Sequence, residues 1–123
     1  MKENYDSSWD LAGNEEAYDN KFSEWRKRSW EDWLQANLQY PFVVKRIDDE
    51  DYFSTSLSKE PFSIGHEMRV VGIDMEDEHY GIIVKVKEGR RVGAVPLCDV
   101  EVTFKENVNY WPVREYAMWF ANR

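Results

Sequence analysis

Tyr80-Gly81-Ile82-Ile83-Val84-Lys85-Val86-Lys87-Glu88-Gly89-Arg90-Arg91-Val92-Gly93-Ala94-Val95 carries the clearest structural signal in the chain. Ile82, Val84 and Val86 interleave with Lys85 and Lys87. A period of two places an apolar row and a charged row on opposite faces of a β-strand. Glu88-Gly89 reads as a tight hairpin turn, and Arg91 to Val95 as the returning strand. Upstream, Met68-Arg69-Val70-Val71-Gly72-Ile73 reads as a further strand. Downstream, Pro96-Leu97 turns a corner, and Val100, Val102 and Phe104 alternate again. Short strands joined by tight turns predict a small antiparallel sheet closed into an SH3-like β-barrel.

On either side of this block the apolar period lengthens to that of a helix. Asn14 stands as a cap, with Glu15 and Glu16 in a first turn where negative charge suits the helix dipole. Tyr18, Phe22 and Trp25 follow at helical spacing. Ser29-Trp30-Glu31-Asp32 is a second start signal, a capping box with Asp in place of Glu. Trp30, Trp33, Leu34 and Leu38 supply the next apolar face, so 14–38 reads as one kinked helix or two consecutive ones. Pro41 ends it. Pro112, taken as the first helical position, opens a C-terminal helix with Val113, Tyr116, Ala117 and Phe120 as its stripe. The expected fold class is α+β: a small SH3-like β-barrel or antiparallel sheet, flanked by an N-terminal helix or helix pair and a C-terminal helix. Residues 1–13 are expected as a flexible arm unless Trp9 and Leu11 dock, and 14–123 as a single domain.

Composition limits the function. The 123 residues suit one domain, and 15% aromatics with 42% hydrophobics can build a core. The net charge of −8 argues against nucleic acid as a partner, because phosphate binding needs a basic excess. No stretch is long and apolar enough to span a bilayer, and Met1 to Asp6 is no signal peptide. A cytoplasmic monomer is expected. Cys98, the single cysteine, rules out an intrachain disulfide and a Cys-based zinc site, and reads as a buried, inert thiol. His79, between acidic residues and Tyr80, reads as a surface histidine. The tryptophans read as core on helical faces. No phosphate loop, nucleophile elbow or His-Glu-x-x-His is present, so the protein is not expected to be an enzyme.

The charge is unevenly spread. Residues 1–61 carry 14 acidic against 8 basic groups, and residues 62–123 carry 10 against 8. Two clusters stand out: Asp48-Asp49-Glu50-Asp51, and Asp74-Met75-Glu76-Asp77-Glu78, the second expected as a loop between strands. Crowded carboxylates repel one another, and a divalent cation relieves this. Ca²⁺, which takes six to eight oxygen ligands with forgiving geometry, suits such loops better than Mg²⁺. Neither cluster is an EF-hand, because the glycine turn is missing: the sixth residue is Phe53 in one frame and His79 in the other. The competing reading is a solvated charged loop. The candidate ligands are Asp74, Glu76, Asp77 and Glu78, then Asp48, Asp49 and Asp51. Asp99 joins them if the corner lies beside the cluster.

The order of motifs adds a resemblance. A helix is followed by Leu38-Gln39-Tyr40-Pro41-Phe42, then by Val70 to Glu78 with its acidic end. A hairpin, Val95-Pro96-Leu97-Cys98-Asp99-Val100, and Tyr116-Ala117-Met118-Trp119-Phe120-Ala121-Asn122-Arg123 complete it. Over roughly 25–123 this resembles the small bacterial, cyanobacterial-type family of calcium-binding proteins outside the EF-hand class. The resemblance implies Ca²⁺ bound by carboxylates, one or two ions, with Asp74, Glu76, Asp77 and Glu78 as the best-matching stretch. Ca²⁺ buffer or sensor is the expected function. The alternative is a metal-independent module that presents acidic loops and aromatics to a protein partner.

Overall fold

Alternation through Ile82, Val84 and Val86 produces an inner strand of the sheet, second from one edge. The computed structural model describes residues 5–47 and 61–123. In chain order it contains α1 (Glu15–Arg26), α2 (Trp30–Asn37), β1 (Phe42–Arg46), β2 (Glu67–Asp77), β3 (Gly81–Glu88), β4 (Arg91–Pro96), β5 (Val100–Val102) and α3 (Tyr110–Asn122). The five strands form one sheet of order β4-β3-β2-β1-β5, with every neighbouring pair antiparallel. The fold is therefore α+β, with helices flanking a sheet. A three-residue 3-10 turn, Leu97–Asp99, carries the chain from edge strand β4 to edge strand β5 at the expected corner. Among the described residues the hydrogen-bonded order is that of an open sheet.

Several boundaries differ from expectation for local reasons. Glu88 pairs with Arg91, so the hairpin turn is Gly89-Arg90 rather than Glu88-Gly89. Gly89 takes φ +59° at the first turn position, the left-handed conformation that glycine adopts without strain. β5 ends at Val102, and Phe104 is 69% exposed outside the strand. The helical run 14–38 is two helices, broken at Lys27–Ser29. Ser29 occupies the N-cap of α2, but its hydroxyl makes no capping bond. Its carbonyl instead accepts the Trp33 N–H at 2.8 Å. Helix α3 starts at Tyr110, two residues before Pro112. Proline is tolerated in a first turn, where N–H groups lack helical acceptors anyway.

The helices cover one face of the sheet. Trp25, Leu34, Val44, Val70, Val84 and Val86 are fully buried there. Burying one aromatic of ~150–250 Å² at ~25 cal/mol/Å² contributes about 4–6 kcal/mol before conformational entropy is charged against it. Trp9 docks, 4% exposed and edge-on to Trp25 at 5.0 Å, while Leu11 stays 62% exposed. Arg114 holds Asp10 with two bonds of 2.9 and 3.1 Å. Behind this sits Glu115, buried in α3. It accepts the Trp25 indole N–H at 2.8 Å, an Arg28 N–H at 2.9 Å and the Tyr5 hydroxyl. Burial first, then the Glu115 bond and charge, push the Tyr5 hydroxyl far up. Cys98 is half-buried rather than buried. No helix among the described residues is long and apolar enough to cross a membrane.

Candidate functional site

Asp74, Glu76 and Asp77 lie within β2 rather than in a loop, and only Glu78 belongs to the turn that follows. Regular alternation would split such a cluster between two faces. The β2–β3 register is irregular, however. Val70 faces Val86 while Gly72 faces Lys85, and Ile73 faces Val84 while Met75 faces Ile83. Val71 and Asp74 are the extra residues of two β-bulges. Val70, Ile73 and Glu76, three residues apart, therefore stand opposite Val86, Val84 and Ile82, the buried row of β3. Glu76 ends this row on the helix-covered face. Asp74 is exposed at its bulge.

Beyond Glu76 the turn is tightly built. Asp77 Oδ2 accepts the backbone N–H groups of His79 and Tyr80, each at 2.8 Å. The Tyr80 bond, then the His79 bond, hold the Asp77 carboxyl below the usual carboxylate range. Gly81 follows at φ +74°. A Cβ there would lie 2.3 Å from Tyr116 Oη and 2.5 Å from Phe120 Cε1. Ile82 N–H donates to that hydroxyl at 2.8 Å. So the turn is pressed directly onto α3.

Where β2 ends and α2 begins, a cleft of about 650 Å³ opens. Glu76, Asp77 and Glu78 line one wall, and Glu31 and Asp32 of α2 line the other. Trp30, Tyr116, Trp119 and Phe120 also line it. Two guanidinium groups border it. Arg28 lies 3.9 Å over the Trp33 ring and is bound to Glu115 and Glu24. Arg123 lies 3.6 Å over Phe120. Burial chiefly pushes the Tyr116 hydroxyl up to about 12, and the Glu76 charge adds to that.

The sequence-derived ligands thus separate. Glu76, Asp77 and Glu78 share the cleft, and Asp74 is not among its lining residues. Asp99 is buried and paired with Arg46 at 3.1 Å, and does not line the cleft either. Asp48, Asp49 and Asp51 lie outside the described residues. Glu31 and Asp32 are additions that sequence reasoning absorbed into helix capping; Glu31 Oε2 accepts the Gln35 side-chain amide at 3.4 Å. All five are hard oxygen donors, suited to Ca²⁺ rather than to a thiophilic metal. Among the described residues, no three His, Cys, Asp or Glu side chains stand together as a ready metal cage. The donor chemistry fits calcium, and its members are spread over two walls.

A family model described as calcium binding, Calci_bind_CcbP, matches residues 15–120, and the chain belongs to that family. The crystal structure of Anabaena CcbP is similar in fold, with a TM-score of 0.55 and 22% identity, covering 75% of this chain and 71% of that one. No curated protein matches the chain.

Proposed function

We propose that this chain is a cytoplasmic, monomeric, non-catalytic Ca²⁺-binding protein that takes the ion at the cleft between α2 and β2. The supporting observation is that Glu76, Asp77 and Glu78 line the same cleft as Glu31 and Asp32, in a chain of a calcium-binding family. Glu76 and Glu78 hold the ion from the strand side, and Glu31 and Asp32 from the helix side. Asp77 contributes through Oδ1, since Oδ2 closes the turn. Calcium supplies charge that cancels carboxylate repulsion, and nothing more. Because the donors stand on separate elements, occupancy draws α2 and the β2 turn together. That couples binding to shape, the property that separates a sensor from a buffer.

Calorimetric titration of chelator-stripped protein with CaCl₂ tests this. Binding heat is expected, together with a rise in melting temperature. At free calcium ten times Kd the added stability is ~1.4 kcal/mol. Neither heat nor a melting shift at millimolar calcium would overturn the proposal. A change in hydrodynamic radius on binding marks a sensor, and heat without it marks a buffer; the fluorescence of Trp30 and Trp119, which line the cleft, reports occupancy in either case. One feature favours a metal-independent module instead: the aromatic side chains beside the carboxylates suit a cationic side chain of a partner. Capture of a basic partner that is indifferent to EDTA is the signature of that reading.

A further inference from the structure

The sheet face turned away from the helices differs in charge from the rest of this acidic chain. Lys85 and Lys87 are exposed there on β3, and Arg69 of β2 stands directly opposite Lys87. Register places Val92, Lys87, Arg69 and Val43 in one row across four strands. Val92 is 59% and Val43 36% exposed. Lys45, further along the face, has Glu67 and Glu101 on either side. Arg69, Lys85 and Lys87 have no such compensation: among the described residues none of the three side chains makes an ion pair or hydrogen bond. Like charges directly opposite on neighbouring strands are destabilising. The fold therefore retains an unneutralised cationic pair, flanked by exposed valines.

We propose that this face docks an acidic, extended segment of a partner protein. Lys85 and Lys87 are two residues apart on a strand, ~7 Å, the same repeat that alternate side chains show in any extended chain. A segment with carboxylates at every second position meets both cations, and Arg69 lies one strand away at ~4.8 Å. Long polyanions fit poorly. The field of the patch is screened within ~8 Å, and beyond it a nucleic acid or an anionic bilayer meets a molecule of net charge −8. Among the described residues the strand positions of this face, from Val43 and Arg69 through Ile83, Lys85 and Lys87 to Val92, carry no aromatic ring on which bases could stack. Calcium binding and this docking use opposite faces of the sheet.

The test titrates the full chain, in EDTA and at low ionic strength, into a fluorescein-labelled ten-residue peptide of alternating Glu and Thr. EDTA keeps the peptide from drawing calcium. Binding is expected, with none to the matching Gln–Thr peptide. Arg69→Glu weakens it by about tenfold, as does Lys85→Glu, because an attraction is replaced by a repulsion. The folding control has the opposite sign. Arg69→Glu turns a repelling cross-strand pair with Lys87 into an attracting one, so its melting temperature rises while docking falls. Failure of the Glu–Thr peptide to bind at millimolar concentration overturns the proposal, as does binding unchanged in both variants. Preference for a dT15 oligonucleotide or phosphatidylserine vesicles over the peptide overturns it too. Self-association of the chain through this face, or a fall in melting temperature for Arg69→Glu, has the same consequence.

Discussion

Trp25 donates its indole N–H to Glu115 Oε1 at 2.8 Å, across ninety residues of sequence. The bond joins α1 to α3, and the same carboxylate gathers Arg28 and Tyr5. One buried side chain therefore ties both terminal regions to the sheet-covering layer. Removing it leaves a buried indole donor without its acceptor and Arg28 with Glu24 alone. Glu115→Ala is expected to lose about 2–3 kcal/mol, the cost of leaving the buried Trp25 indole donor unpaired together with one lost charge-assisted bond of Arg28. Glu115→Gln keeps an acceptor and loses less. Urea unfolding measures both, and a loss for Glu115→Ala under ~1 kcal/mol would mean the network contributes no more than a surface pair.

Gly81→Ala tests how tightly the β2–β3 turn is pressed onto α3. The added methyl meets the Tyr116 hydroxyl and the Phe120 ring while the backbone sits at φ +74°. Overpacking and left-handed strain each cost about 1–3 kcal/mol. Thermal melting of the variant is expected to fall by several degrees. An unchanged melting temperature would show that the turn gives way easily.

Neighbouring carboxylates in β2 are expected to behave differently toward calcium. Glu76→Gln removes a donor on the helix-covered face and weakens binding about tenfold or more, as loss of one charged ligand does at ~1.4 kcal/mol. Asp74→Asn, at the bulge outside the cleft, leaves affinity nearly unchanged. Glu31→Gln on the opposite wall resembles Glu76→Gln. Calorimetry on the three variants decides the matter; equal effects from Asp74 and Glu76 would place the ion outside the cleft.

Tyr116 sets an alkaline limit. Burial raises its hydroxyl from 10.0 to about 12 in the folded chain. A raised folded pKa means the neutral form is favoured by folding, so this contribution is fully present below pH 10. It is lost as pH rises through 12. Phenolate absorbance should show a late-titrating tyrosine whose ionisation coincides with unfolding. Complete tyrosine ionisation near pH 10 with the fold intact would contradict it.

Strand β3 is legible in sequence because its inward residues Ile82, Val84 and Val86 alternate with outward Ile83, Lys85 and Lys87, bounded by Gly81 and Gly89. The end of β2 is not. Asp74-Met75-Glu76-Asp77 has low intrinsic strand preference and is extended because the β3 ladder holds it. Glu31 and Asp32 have a sufficient local explanation in the first turn of α2, so no local pattern announces that they face β2. Trp9 stands among polar residues without a period, and its docking depends on a groove that exists only once Trp25 and Trp111 are packed. Family motifs reached part of what periodicity could not, by carrying the acidic stretch as a unit.

The two bulges of β2 also bear on how this strand can change length. Val71 and Asp74 have no partner of their own on β3, so the pairings of Val70, Ile73 and Glu76 do not depend on them. Loss of Asp74 would restore plain alternation from Ile73 to Glu76 and leave the latter opposite Ile82. Loss of Met75 has the same effect on register, because Asp74 then takes the place opposite Ile83. Length variation among relatives should therefore collect at these two bulges, where the chain can gain or lose a residue without moving a carboxylate.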